Sequence, residues 1–141
     1  MHPKTTMLPA KIDYKSPPQL LGYTYPPQTA YYARDIGRLL AIRLETNYSC
    51  NLRCLYCYAQ SGKSTNKHPN LQQLKNIISQ ANELGVKSIV VIGGGEPTIY
   101  PEFKKLISFI HQLNIIPVVF TNCIEVTPDL AKFLYNSNAS V

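Results

Sequence analysis

The chain is 141 residues long, enough for one ordinary domain and too short for two. Hydrophobic residues make up 45% and charged residues 16%, a globular balance rather than a disordered one, and no apolar run approaches the roughly 20 residues of a membrane span. The net charge is +6, but the 14 Lys and Arg residues are scattered without a tight run, which argues against a nucleic-acid surface; an anionic small substrate or plain solubility accounts for the charge.

Residues 1–15 contain Lys4, Lys11 and Lys15 but no apolar stretch of the kind a secretory signal needs, so the cytosol is the expected location. Residues 1–33 hold six of the eleven prolines and five of the ten tyrosines. The doublets Pro17-Pro18 and Pro26-Pro27 remove backbone donors and restrict φ, so residues 1–38 are expected to form an extended leader over the domain surface rather than a helix.

From residue 39 the pattern changes. Residues 39–45 (LLAIRLE) read as a strand, and residues 46–69 as a long loop rich in Asn, Ser, Gly and Cys. Asn70 with Gln73 three residues on has the form of a capping box. Leu71, Leu74, Ile77, Ile78, Ala81 and Leu84 then fall on one helical face, and Gly85 supplies a stop. Residues 88–92 (SIVVI) are a short β-branched run, suited to a strand buried on both faces, and Gly93, Gly94 and Gly95 end it.

Pro101 suits the first position of a second helix whose stripe is Phe103, Leu106, Ile107, Ile110 and Leu113, with Asn114 as terminator. Residues 115–120 (IIPVVF) read as a third strand. Thr127 and Pro128 open a third helix that faces inward through Leu130, Phe133 and Leu134. Alternation of strand and helix predicts an α/β domain with a parallel sheet. In such folds function gathers beyond the carboxyl ends of the strands. Three loops there carry unusual residues: 46–57, 93–98 and 121–123.

The first of these loops contains Cys50-Asn-Leu-Arg-Cys54-Leu-Tyr-Cys57, three of the four cysteines within eight residues. Thiols so close, without partners spread along the chain, point to a metal rather than to disulfides. Four-iron clusters generally take four cysteines, so three would leave one iron open. Two other arrangements use the same thiols. His68 would complete a Cys3His zinc site, and Cys123 would complete a fully ligated cluster.

The C-x3-C-x2-C spacing, with aromatic Tyr56 before the last cysteine, resembles the signature of the radical S-adenosylmethionine (radical SAM) superfamily. Gly94-Gly95-Glu96-Pro97 resembles that family's GGEP element, and Thr121-Asn122 its TN element. The resemblance implies three βα units of a partial (β/α) barrel over residues 39–141. Complete (β/α) barrels run near 250 residues, so a truncated, N-terminal half of the core is expected.

It also implies a [4Fe-4S] cluster on Cys50, Cys54 and Cys57, with S-adenosylmethionine on the open iron. Tyr56 would lie near the adenine through its backbone. Gly94, Gly95 and Glu96 would meet the methionine end, and Asn122 would share the pocket. The implied activity is reductive cleavage to a 5′-deoxyadenosyl radical that abstracts hydrogen from substrate, fed by a reductant such as flavodoxin or ferredoxin. No further catalytic residue is assignable. The tyrosine-rich leader and the Cys-Tyr-Ala run resemble members that modify peptides or build cofactors. A non-catalytic iron–sulfur or zinc module, or an inactive remnant, are the alternatives. Cys123 stands where the family has glycine, and is expected to be a small buried thiol.

Overall fold

The alternating pattern folds into a three-stranded parallel sheet in the order β1-β2-β3. The structure is a computed structural model that describes residues 20–62 and 68–141. Its elements are α1 (Pro27–Asp35), β1 (Ala41–Glu45), α2 (Leu71–Glu83), β2 (Ser88–Ile92), a short 3-10 turn (Pro97–Ile99), α3 (Phe103–Gln112), β3 (Ile116–Val119) and α4 (Pro128–Asn136). Register pairs Leu44 with Val91 and Val91 with Val119, so one sheet face presents a continuous apolar surface to the helices. Leu74 and Ile78 of α2 and Leu106, Ile107 and Ile110 of α3 pack with Ile89 and Val91 in a single core cluster. Beyond α4 the chain returns to the sheet, where Ser140 forms a parallel bridge with Val118.

Each βα unit is delimited by local chemistry. The Asn70 side chain accepts from the Gln73 backbone while the Gln73 side chain accepts from the Asn70 N–H, a reciprocal capping box that satisfies two donors at the start of α2. Thr127 caps α4 by accepting from the Leu130 N–H at 3.2 Å, with Pro128 at the first position. Among the described residues the four α-helices each end on a residue with positive φ: Gly37, Gly85, Asn114 and Asn138. The next residue then donates back five positions, as in Val86 to Ala81 at 3.1 Å and Ile115 to Ile110 at 3.3 Å. Those terminators turn the chain sharply, and β1, β2 and β3 follow within a few residues.

Two expectations need correction. The proline-rich leader is not extended throughout, because residues 27–35 form α1. Pro27 occupies the first turn, where the missing N–H has no helical partner to lose and the fixed φ suits a helix. The remainder of the expected leader up to residue 19 lies outside the described residues. Pro101, expected to begin the second helix, sits in a turn two residues before α3 starts at Phe103. The 3-10 turn at residues 97–99 takes up the intervening chain.

The segment before α1 packs on the sheet face away from α2 and α3. Gly22 lies against Ser88, Ile116 and Val118, and its carbonyl accepts from Ser88 Oγ. Tyr25 Oη lies 2.9 Å from the same hydroxyl and donates to the Leu40 carbonyl at 3.2 Å. Ser140 Oγ donates to the Leu21 carbonyl at 2.7 Å, while the Tyr23 and Phe120 rings meet at 5.1 Å. This strap helps shield the face that the helices leave open.

Leu106 is fully buried in the core cluster, whereas Tyr135 of α4 is 84% exposed. Leu106→Ala is expected to lower the unfolding free energy by about 2–5 kcal/mol through lost transfer energy and a residual cavity. Tyr135→Ala should stay within about 0.5 kcal/mol. Urea denaturation followed by circular dichroism measures both.

Candidate active site at the carboxyl rim

Backbone pairing continues past β1 and β2. The Gly95 N–H donates to the Asn47 carbonyl at 2.8 Å, and the Glu96 N–H donates to the Ser49 carbonyl at 2.9 Å. The Asn47 side-chain amide adds a third rung, donating to the Glu96 carbonyl at 3.2 Å. These rungs draw the loop that enters the cysteine motif directly against the glycine turn. A Cβ on Gly95 would sit 1.9 Å from the Ser49 carbonyl oxygen, and one on Gly94 would sit 2.4 Å from the Tyr48 ring. Both glycines are therefore required by this chain's own close packing, a role that the motif alone did not disclose.

Glu96 is 3% exposed, and its carboxylate is the junction of the rim. Oε1 accepts from the Thr98 N–H at 3.0 Å, from Thr98 Oγ1 at 2.7 Å and from Thr121 Oγ1 at 2.7 Å. Oε2 accepts from the Asn122 N–H at 2.8 Å. A buried carboxylate is tolerated only when donors replace its hydration, and here they come from the two loops after β2 and β3. Asn122 carries the linkage onward, donating through Nδ2 to Asn51 Oδ1 at 2.8 Å; Asn51 in turn donates to Glu125 Oε1 at 3.3 Å. Thus the residue after Cys50 is tied to the third loop.

Cys50, Cys54 and Cys57 line one cleft of about 290 Å³ together with Gly95, Glu96, Thr121 and Asn122. Tyr58, Ile92 and Phe120 give it apolar walls. Cys54 and Cys57 also line a neighbouring hollow of about 490 Å³, but only the smaller cleft brings the thiols, the glycine turn and the third loop together. All four cysteines are free thiols. The Leu52 N–H donates to Cys50 Sγ at 3.4 Å. Cys57 Sγ lies 3.1 Å from Ser61 Oγ, and this hydrogen bond is the main cause holding the Cys57 pKa below that of an ordinary thiol, against the opposing effect of burial. Thiolate is the form that binds metal.

Among the described residues no three His, Cys, Asp or Glu side chains converge as a single-ion site. A cluster does not ask for that convergence, because each thiolate takes a different iron. A free thiol trio on a turn-rich loop, with backbone donors to sulfur, fits such a group.

Several predicted site residues stand elsewhere. His68, the candidate fourth zinc ligand, packs edge-on against Tyr100 at 5.5 Å and does not line the cysteine cleft. Tyr56 is 92% exposed and does not line the cleft. Cys123 is exposed, not buried as expected. It adopts φ of 65°, the left-handed region in which glycine is at ease, and its backbone N–H donates to Thr121 Oγ1 at 3.0 Å. That turn carries the side chain out of the cleft. Ser61, Tyr58 and Asn51 were missed by sequence reasoning. Their neighbourhood to the cysteines was the only available signal, and it does not say which neighbours turn inward.

The structure is an α/β protein whose parallel βα sheet carries a thiol-lined cleft at its carboxyl rim. The family model of the Radical SAM superfamily matches residues 44–141, and the chain belongs to that superfamily. It is 32% identical over 107 residues to the mycofactocin maturase MftC of Mycolicibacterium smegmatis, covering 76% of this chain and 27% of that protein. Similar solved structures include Streptococcus suis SuiB bound to precursor peptide SuiA, with TM-score 0.61, 21% identity, and coverage of 79% of this chain and 27% of that one. BtrN in complex with AdoMet and 2-DOIA also has TM-score 0.61, at 21% identity over 70% of this chain and 42% of that one. The chain spans about a quarter of the length of the curated relatives named MftC.

Glu96→Gln would place an amide NH2 against donors now satisfied by the carboxylate. It is expected to cost about 1–3 kcal/mol in unfolding free energy. The remaining amide oxygen satisfies the three donors now on Oε1, so amide exchange should accelerate at Asn122, whose N–H loses its acceptor, while Thr98 and Val91 keep their protection.

Proposed function

We propose that this chain provides the cluster-binding and S-adenosylmethionine-binding part of a radical SAM enzyme. Cys50, Cys54 and Cys57 would ligate three irons of a [4Fe-4S] cluster. When bound, the cluster would supply one electron for reductive cleavage of S-adenosylmethionine, the chemistry by which such enzymes remove hydrogen from a substrate. The observation that carries this reading is the single cleft shared by the three thiols, Gly95, Glu96 and Asn122.

The chain's own residues have distinct tasks. The three thiolates hold the cluster at the rim. Gly94, Gly95 and Glu96 offer carbonyl and carboxylate acceptors for the ammonium of the methionine end, and Asn122 borders the same space. Tyr56 contributes through its backbone near the adenine. Tyr58, Ile92 and Phe120 make the apolar walls that would exclude water from a reactive intermediate.

The substrate class we propose is a peptide. MftC is named a maturase, and SuiB was solved bound to a precursor peptide. A reductant such as flavodoxin or ferredoxin would feed the cluster, and the cytosol would keep the thiols reduced. Residues 39–141 are the segment assigned to the (β/α) barrel, with residues 1–38 before it. Among the described residues no helix is long and apolar enough to cross a membrane.

Anaerobic reconstitution tests the proposal. The chain should take up about four irons and four sulfides, and Cys54→Ala should abolish this. Addition of S-adenosylmethionine should change the electron paramagnetic resonance of the reduced cluster. An unchanged spectrum, or bound zinc without sulfide, would overturn the reading.

A further inference from the structure

Ser61 has one hydroxyl proton and two neighbours that can accept it. Its Oγ lies 3.1 Å from Cys57 Sγ, and the same hydroxyl donates to the Gly94 carbonyl. Ser61 is half-buried, and it lines the cysteine cleft. With Cys57 protonated both contacts are satisfied at once: the thiol donates S–H to Oγ, and Oγ–H donates to Gly94. A cluster-ligating sulfur has lost its proton. Two lone-pair atoms at this distance then repel unless the hydroxyl turns toward the sulfur. The Gly94 carbonyl is left with an open lone pair.

We infer that Ser61 is a positioning residue that turns its O–H donor from the Gly94 carbonyl to the Cys57 sulfur when the cluster is bound. The inference rests on the cluster-binding reading above. It has two consequences. The O–H···S bond stabilises the more negative, reduced cluster, since hydrogen bonds to the sulfurs are one determinant of cluster potential. The released Gly94 carbonyl becomes an acceptor for the ammonium of the methionine end, so loading the first cofactor prepares the site of the second. A rival role is a plain staple between the cysteine loop and the glycine turn, with no interaction at the sulfur.

Spectroelectrochemical titration of the reconstituted chain separates these roles without any turnover. Ser61→Ala should bind the same iron and sulfide as the unchanged chain. Its midpoint should fall by about tenfold in the reduction equilibrium, or about 59 mV for one electron. Ser61→Thr, which keeps the hydroxyl, should restore most of it. Binding of S-adenosylmethionine to loaded Ser61→Ala should change by less than about threefold, because the Gly94 carbonyl is free in that variant too.

A midpoint equal to that of the unchanged chain, with weakened S-adenosylmethionine binding, would identify a staple and overturn the inference. If Ser61→Ala does not load, the near-isosteric pair Ser61→Thr and Ser61→Val decides, since the two differ chiefly in the hydroxyl; equal midpoints would overturn it. Failure of the unchanged chain to bind any cluster would instead overturn the proposed function itself, and this inference with it.

Discussion

Burial of the Glu96 carboxylate constrains the whole rim. A carboxyl group at 3% exposure must recover its lost hydration from fixed donors, and Thr98, Thr121 and Asn122 supply four of them. Those donors belong to the loops that follow β2 and β3, so satisfying one carboxylate sets the spacing between two loops. The Glu96 backbone simultaneously pairs with Ser49, which brings in the loop after β1. Three segments distant in sequence are thereby held at one point. The thiol-lined cleft is the space they enclose.

The scaffold beneath makes that junction possible. Each helix ends in a left-handed residue whose successor bonds back into the last turn, and the return to the sheet is short. Parallel pairing of Leu44, Val91 and Val119 then brings the carboxyl ends of the strands level. Loops leaving a level rim meet one another, which is why function collects there in parallel α/β folds. The strap at residues 20–25 anchors on Ser88 and Leu40, at the start of the strands, and its Tyr23 ring meets Phe120, which walls the cleft at the rim.

Packing of the glycine turn against the cysteine loop joins the two motifs. Gly94 and Gly95 are spaced for contact with Tyr48 and Ser49, so their small size serves the assembly of the site as well as any ligand. Ser61 adds a side-chain link between the same two segments, through Cys57 and Gly94. A substitution in this region would disturb the protein framework and the thiol-lined cleft together.

Local order along the chain was enough to read the strands, α2 and α4, the capping box at Asn70 and the stops at Gly85 and Asn114. Each depends on residues within one or two turns of one another. The helix at residues 27–35 escaped because a proline doublet suits both an extended segment and a first helical turn, and only packing distinguishes them. The sequence by itself determined the βα alternation and the close grouping of three thiols, since periodicity and spacing are local properties. Tertiary structure alone decided that Tyr56 and Cys123 turn their side chains outward, that His68 packs edge-on against Tyr100, and that Ser61 reaches both a cysteine and the glycine turn. Those outcomes depend on which loops meet across the rim, and contacts between residues dozens of positions apart leave no periodic trace in the chain.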